Sequence, residues 1–135
     1  MLRAALAFNG ALMLLWSPVL FFNMEMMWKA MEGRKAAQAK TAFDVMIWRI
    51  CALWVACTGL VCLFASDVPS GFWTARWGVE PALLEAVRRP LGWLCVCMHG
   101  IEVCVKYAAV GAKVTQAASG NVVLAGCILV ALLLE

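Results

Sequence analysis

The sequence predicts an all-α integral membrane protein, a four-transmembrane-helix bundle with a short interfacial helix between spans two and three. Three observations carry that prediction. Of 135 residues, 65% are apolar and only 14% charged, against about 45–50% and about 25% in a soluble domain. The mean hydropathy is +0.88. Four runs approach the roughly 20 apolar residues that cross a hydrocarbon core of about 30 Å, and none alternates as a barrel strand does, so helices must satisfy the backbone in lipid. The whole chain, 1–135, is then one four-helix membrane domain with both termini on the same side. Its length excludes a large soluble catalytic domain. A net charge of +3, dispersed along the chain, is too small for the footprint of a nucleic-acid binder.

The spans fall at about 4–22, 45–64, 91–110 and 117–134. Met1, Leu2 and Arg3 ahead of an apolar run resemble the start of a leader peptide, but the run is expected to be retained as the first span. The first connection carries Lys29, Arg34, Lys35 and Lys40, with Gly33 interrupting helical extensions of spans one and two. In the second, Asp67 to Gly71 is a turn signal, and Phe72, Trp73 and Trp77 have the amphipathic character of a headgroup boundary. Pro81 then opens a short interfacial helix over about 81–89, with Leu83, Leu84 and Val87 on one face and Glu85, Arg88 and Arg89 toward water. The tight third connection makes spans three and four an antiparallel hairpin. Five cations on one side against four on the other give no orientation.

Ionisable residues inside spans are expensive and normally face protein or trapped water. Arg49 lies on span two; His99, Glu102 and Lys106 share one face of span three at spacings of three and four. Arg49 and Lys106 are each four residues, roughly 6 Å, inside the same membrane face. Antiparallel threading therefore predicts an Arg49–Glu102–Lys106 cluster, with Asp44 near the rim and Asn121 of span four adding a hydrogen bond. The expected role is structural: a polar cluster that sets helix register or pairs with a neighbouring subunit. A proton or ion relay is the competing reading, weakened because two cations already neutralise the single acid.

His99 is the only histidine, so this chain alone cannot build a bis-histidine haem, a His-rich zinc site or a two-His iron triad. No metal site and no catalytic residue are expected. Chlorophyll ligation at His99 is the one pigment alternative. All seven cysteines lie in spans, which is no disulfide framework. Cys95 and Cys97 project about 200° apart on a helix, so they read as packing residues. Gly100, Cys104, Ala108 and Ala112 form a small-residue stripe at four-residue spacing that lets another helix approach closely; Ala52, Ala56 and Gly59 form a weaker one. No phosphate-cradling loop, nucleophile elbow or zincin motif is present.

The four-span layout, the run from Ala39 to Phe43 at the start of span two, and the His99 and Glu102 pair in span three resemble the ergosterol-biosynthesis scaffold family. That resemblance implies a small endoplasmic-reticulum tetraspan that tethers sterol-modifying enzymes and has no catalysis of its own. Ala42 and the three-residue His–Glu spacing depart from the family's pattern, so no residue's role is carried over.

The leading expectation is a non-catalytic accessory subunit of a large multisubunit membrane complex, partnered by other integral-membrane subunits and lipids. An organelle energy-transducing complex is favoured, either the mitochondrial respiratory chain or ATP synthase in the inner membrane; the Met-Leu-Arg start suits an organelle protein. Alternatives are a scaffold for lipid or sterol enzymes in the endoplasmic reticulum, a pigment-associated subunit of a thylakoid photosynthetic complex, and a small transporter. No cofactor is expected beyond a bound phospholipid such as cardiolipin, for which Lys35, Arg88 and Arg89 are the headgroup candidates.

Overall fold

The computed structural model describes residues 1–23, 42–69, 71–110 and 115–135, without the side chains of 43, 44, 105, 106, 108–110 and 115–118. The described residues form five helices and no strand: α1 (Leu2–Phe22), α2 (Ala42–Ser66), α3 (Phe72–Trp77), α4 (Pro81–Val110) and α5 (Thr115–Leu134). Two of them hold stretches long and apolar enough to cross a membrane, Leu2–Phe22 and Val45–Ser66, and Ser119–Leu134 is a shorter apolar stretch. Only 28% and 22% of the most apolar 18-residue windows of the two long stretches are buried. Their apolar side chains therefore face mainly outward, the reverse of a core helix in a soluble domain.

α1 lies along α2 and α4 along α5, and the two pairs meet through α1–α5, α2–α4 and α1–α4 contacts. Gly10 and Gly59 bring α1 and α2 backbone to backbone. A Cβ on Gly10 would stand 2.7 Å from the Gly59 carbonyl oxygen, and one on Gly59 3.0 Å from the Gly10 oxygen. Gly59 thus uses the small-residue stripe foreseen on span two inside the chain. Pro18 lies within α1 and has no N–H for the Leu14 carbonyl; the Ser17 hydroxyl donates to that oxygen instead, at 3.1 Å.

The shared core is drawn from all four long helices: Leu2 and Leu6, Cys62 and Ala65, Leu91 and Cys95, and Ile128, Ala131 and Leu132. It occupies the half of the bundle nearest the chain ends. There the Met1 ammonium and the Leu2 N–H both bond Glu135 Oε1 at 2.7 Å.

The second connection differs from expectation. The segment 81–89 is not a separate interfacial helix; it is continuous with the third long helix through Pro90. Leu84, Arg88, Leu91, Gly92, Cys95 and His99 are all buried at helical spacing, so one packing face runs unbroken past the proline. That continuous burial outweighs the single backbone bond that Pro90 removes. The short helix of the connection is α3, where Trp73 packs on Phe64 with centroids 5.7 Å apart while Phe72 and Trp77 stay exposed.

Two guanidinium groups close the end of α2. Arg88 Nε donates to the Ala65 carbonyl at 2.7 Å, and Arg3 donates to those of Ser66 and Asp67 at 3.0 and 3.1 Å. The last carbonyls of a helix have no partner in the helix and carry its negative dipole end, so cations belong there. Asp67 turns the chain at φ 52°, and its Oδ2 accepts the Gly71 N–H at 3.0 Å.

Candidate functional site

A chain of polar side chains crosses the apolar interior and touches every long helix. Asn9 of α1 is fully buried, and its Oδ1 lies 2.9 Å from His99 Nε2 of α4. Its Nδ2 faces three sulfurs, Met13 Sδ at 3.4 Å, Cys62 Sγ at 3.6 Å and Cys95 Sγ at 3.7 Å. The two thiols are themselves 3.5 Å apart. On the far side of the imidazole, His99 Nδ1 is 3.8 Å from Glu102 Oε2, and Asn121 Nδ2 of α5 donates to that same carboxylate oxygen.

The helical repeat explains the assembly. Cys95, His99 and Glu102 follow one another at four and three residues, so α4 presents all of them along one stripe. Asn9 and Met13 are one turn apart on α1. Cys62 is one turn beyond the Gly10–Gly59 contact, which holds α1 and α2 close enough for Asn9 to reach it.

The hydrogen-bond inventory of this centre is one-sided. An amide has two N–H bonds, shared here among three sulfurs, which are weak acceptors. With the amide so oriented, its Oδ1 requires a donor, so His99 carries a proton on Nε2. Nδ1 then faces the Glu102 carboxylate, and it is a buried atom without a hydrogen bond. A second proton on Nδ1 makes the contact an ion pair; without it two acceptors confront each other.

The expected cluster around Glu102 is only partly assembled. Asn121 does reach Glu102, but Arg49 does not pair with it. Arg49 is exposed, its Cζ 5.4 Å from the Phe21 ring centroid. The reason is that α2 meets α4 near its own C-terminal end, where Cys62 and Ala65 approach Cys95 and Arg88, whereas its first half turns toward α1. The side chains of Asp44 and Lys106 lie outside the described residues. Ionisable groups in spans are the starting point of the sequence reading, with only Asn121 added near Glu102, so Asn9 is passed over. A lone amide in the first apolar run was the signal available, since any buried polar group needs a partner.

The remaining candidates divide between inside and outside. Gly100 and Cys104 are exposed, and a Cβ on Gly100 would meet nothing within 4 Å. The Ala108 side chain, Ala112 and Lys35 lie outside the described residues. Arg88 is buried, its guanidinium engaged by the Ala65 carbonyl and the Glu85 carboxylate. Arg89 is exposed. Among the described residues no group of three or more His, Cys, Asp or Glu side chains is placed to hold a metal ion. No family model, curated protein or solved structure matches the chain.

Proposed function

We propose that this chain is a non-catalytic accessory subunit of a large multisubunit membrane complex, with α1, α2, α4 and α5 as four spans. The exposed small-residue face at Gly100 and Cys104 carries the reading. Inside the chain, Gly10 and Gly59 let two helices touch backbone to backbone; Gly100 offers the same approach with nothing of the described residues within 4 Å of it. In lipid, helices associate through such close packing and through interhelical hydrogen bonds rather than through the hydrophobic effect. An energy-transducing complex of the mitochondrial inner membrane remains the favoured host.

The test is the native mass and composition of the particle that carries this chain, extracted in mild detergent. A large, defined particle with redox or rotary subunits is expected, and Gly100→Leu should release the chain from it while leaving the chain folded. A stable isolated monomer overturns the reading. Recovery with sterol-modifying enzymes favours the scaffold alternative instead.

A second reading, a small proton-conducting protein, draws on the contact between His99 Nδ1 and Glu102. Under it, Glu102→Gln abolishes flux in proteoliposomes and leaves assembly intact; under the accessory reading it weakens assembly and there is no flux to lose.

A further inference from the structure

Arg49 is an exposed cation on a long apolar helix. Among the described residues it has no carboxylate within ion-pair distance, and its one neighbouring group of note is the Phe21 ring, 5.4 Å from Cζ to centroid. A guanidinium over an aromatic face keeps its N–H edge free for a second partner. Arg88 and Arg3, by contrast, are engaged with the carbonyls that end α2.

The surroundings of Arg49 are apolar. A groove of about 530 Å³ runs beside it, walled by Phe21 of α1 and by Val45, Met46, Ile50 and Leu53 of α2. Its level along the bundle is set by two helix ends. Phe21 is the penultimate residue of α1, and Arg49 lies four residues, roughly 6 Å, beyond Val45, where the apolar stretch of α2 begins. In a bilayer that spans the apolar stretch of α2, a cation at that depth lies next to the headgroup layer.

We infer that Arg49 and this groove form the seat of one anionic phospholipid. Its phosphate is bound by the planar guanidinium fork, and one acyl chain lies between α1 and α2. Arginine presents two parallel N–H donors to phosphate. A guanidinium at that depth is attracted to anionic headgroups, the counter-ions that a bilayer surface supplies. The site is distinct from the headgroup candidates Lys35, Arg88 and Arg89. It rests on the membrane-spanning reading above.

The test is native mass spectrometry of the full-length, detergent-purified protein titrated with phosphatidylglycerol or phosphatidylcholine. One tightly held lipid is expected, with phosphatidylglycerol preferred about fivefold, the discrimination of a single favourable charge near a membrane surface. Arg49→Gln should remove the preference and Arg49→Lys should keep most of it. Ile50→Trp, which fills the groove and leaves the charge, should lower the affinity for both lipids. Excess inorganic phosphate should not displace the bound lipid. An unchanged preference in Arg49→Gln overturns the inference, as does displacement by phosphate alone, which would mark a headgroup site without an acyl seat. Failure of the membrane reading is distinguishable: the chain would then be recovered without detergent, which overturns both.

Discussion

Asn9 and His99, ninety positions apart in the chain, meet at 2.9 Å in the interior of the bundle and join α1 to α4. The bond holds the imidazole so that its other nitrogen faces Glu102, and it orients the amide toward Cys62 and Cys95. One contact thus links α1 to α4 beside the thiols of Cys62 and Cys95. Its removal is the most informative perturbation of the fold.

Asn9→Leu leaves His99 Nε2 buried without a partner and should destabilise the protein by about 1–3 kcal/mol. Adding His99→Phe should recover part of that loss, because a polar pair replaced on both sides strands no donor. Thermal unfolding in detergent of the single and double variants checks this; no recovery in the double variant would show that the Asn9–His99 bond is not the source of the loss.

Gly10→Ala places a methyl group 2.7 Å from a backbone oxygen, which no side-chain rotation relieves. The helices must part, at about 1–3 kcal/mol, and Gly59→Ala should act in the same direction. Gly100→Ala meets nothing within 4 Å and should leave the isolated chain as stable or up to about 1 kcal/mol more so through helix propensity. Unfolding midpoints of the three variants in one detergent make the comparison.

Arg88→Met removes the bond to the Ala65 carbonyl and should lower stability by about 1–3 kcal/mol. Arg89→Met, on the exposed side of the same turn, should stay within about 0.5 kcal/mol of the parent. Equal effects of the two would contradict the inward role of Arg88.

The Glu135 carboxyl is held below its ordinary value of 4.5, first by the Met1 ammonium it bonds and then by the Leu2 N–H. A depressed carboxylate contributes stability above its unfolded-state pKa, and that contribution is lost as pH falls through the lower folded-state value. The unfolding midpoint should therefore drop on acidification below about pH 4.5, where the unfolded-state group begins to bind its proton. Glu135→Gln should flatten that part of the profile. Since both partners are largely exposed, added salt should weaken the effect.

The helices were legible because apolar run length needs no knowledge of neighbours: four of the five helices among the described residues cover the expected spans. The expected separation of 81–89 from the span at 91–110 fails for the same reason: Pro90 stands between them, yet the buried stripe from Leu84 to His99 continues past it. The pairing of Glu102 with Asn121 followed from hairpin threading, in which two consecutive helices have few ways to align. Arg49 was assigned to Glu102 on depth alone, and depth does not say which way a helix is rotated.

The sequence by itself determined that the chain is helical, where its apolar runs lie, and that His99, Glu102 and Asn121 lie in apolar runs where they need partners. Each of these follows from composition and a 3.6-residue period. Only the tertiary structure decided that Asn9 and two thiols complete the centre, that Arg88 closes the end of α2, and that Arg49 is left at the surface beside an apolar groove. Those outcomes depend on the rotation of each helix about its axis, which is settled by where backbones can touch, as at Gly10 and Gly59, and no single helix carries that information.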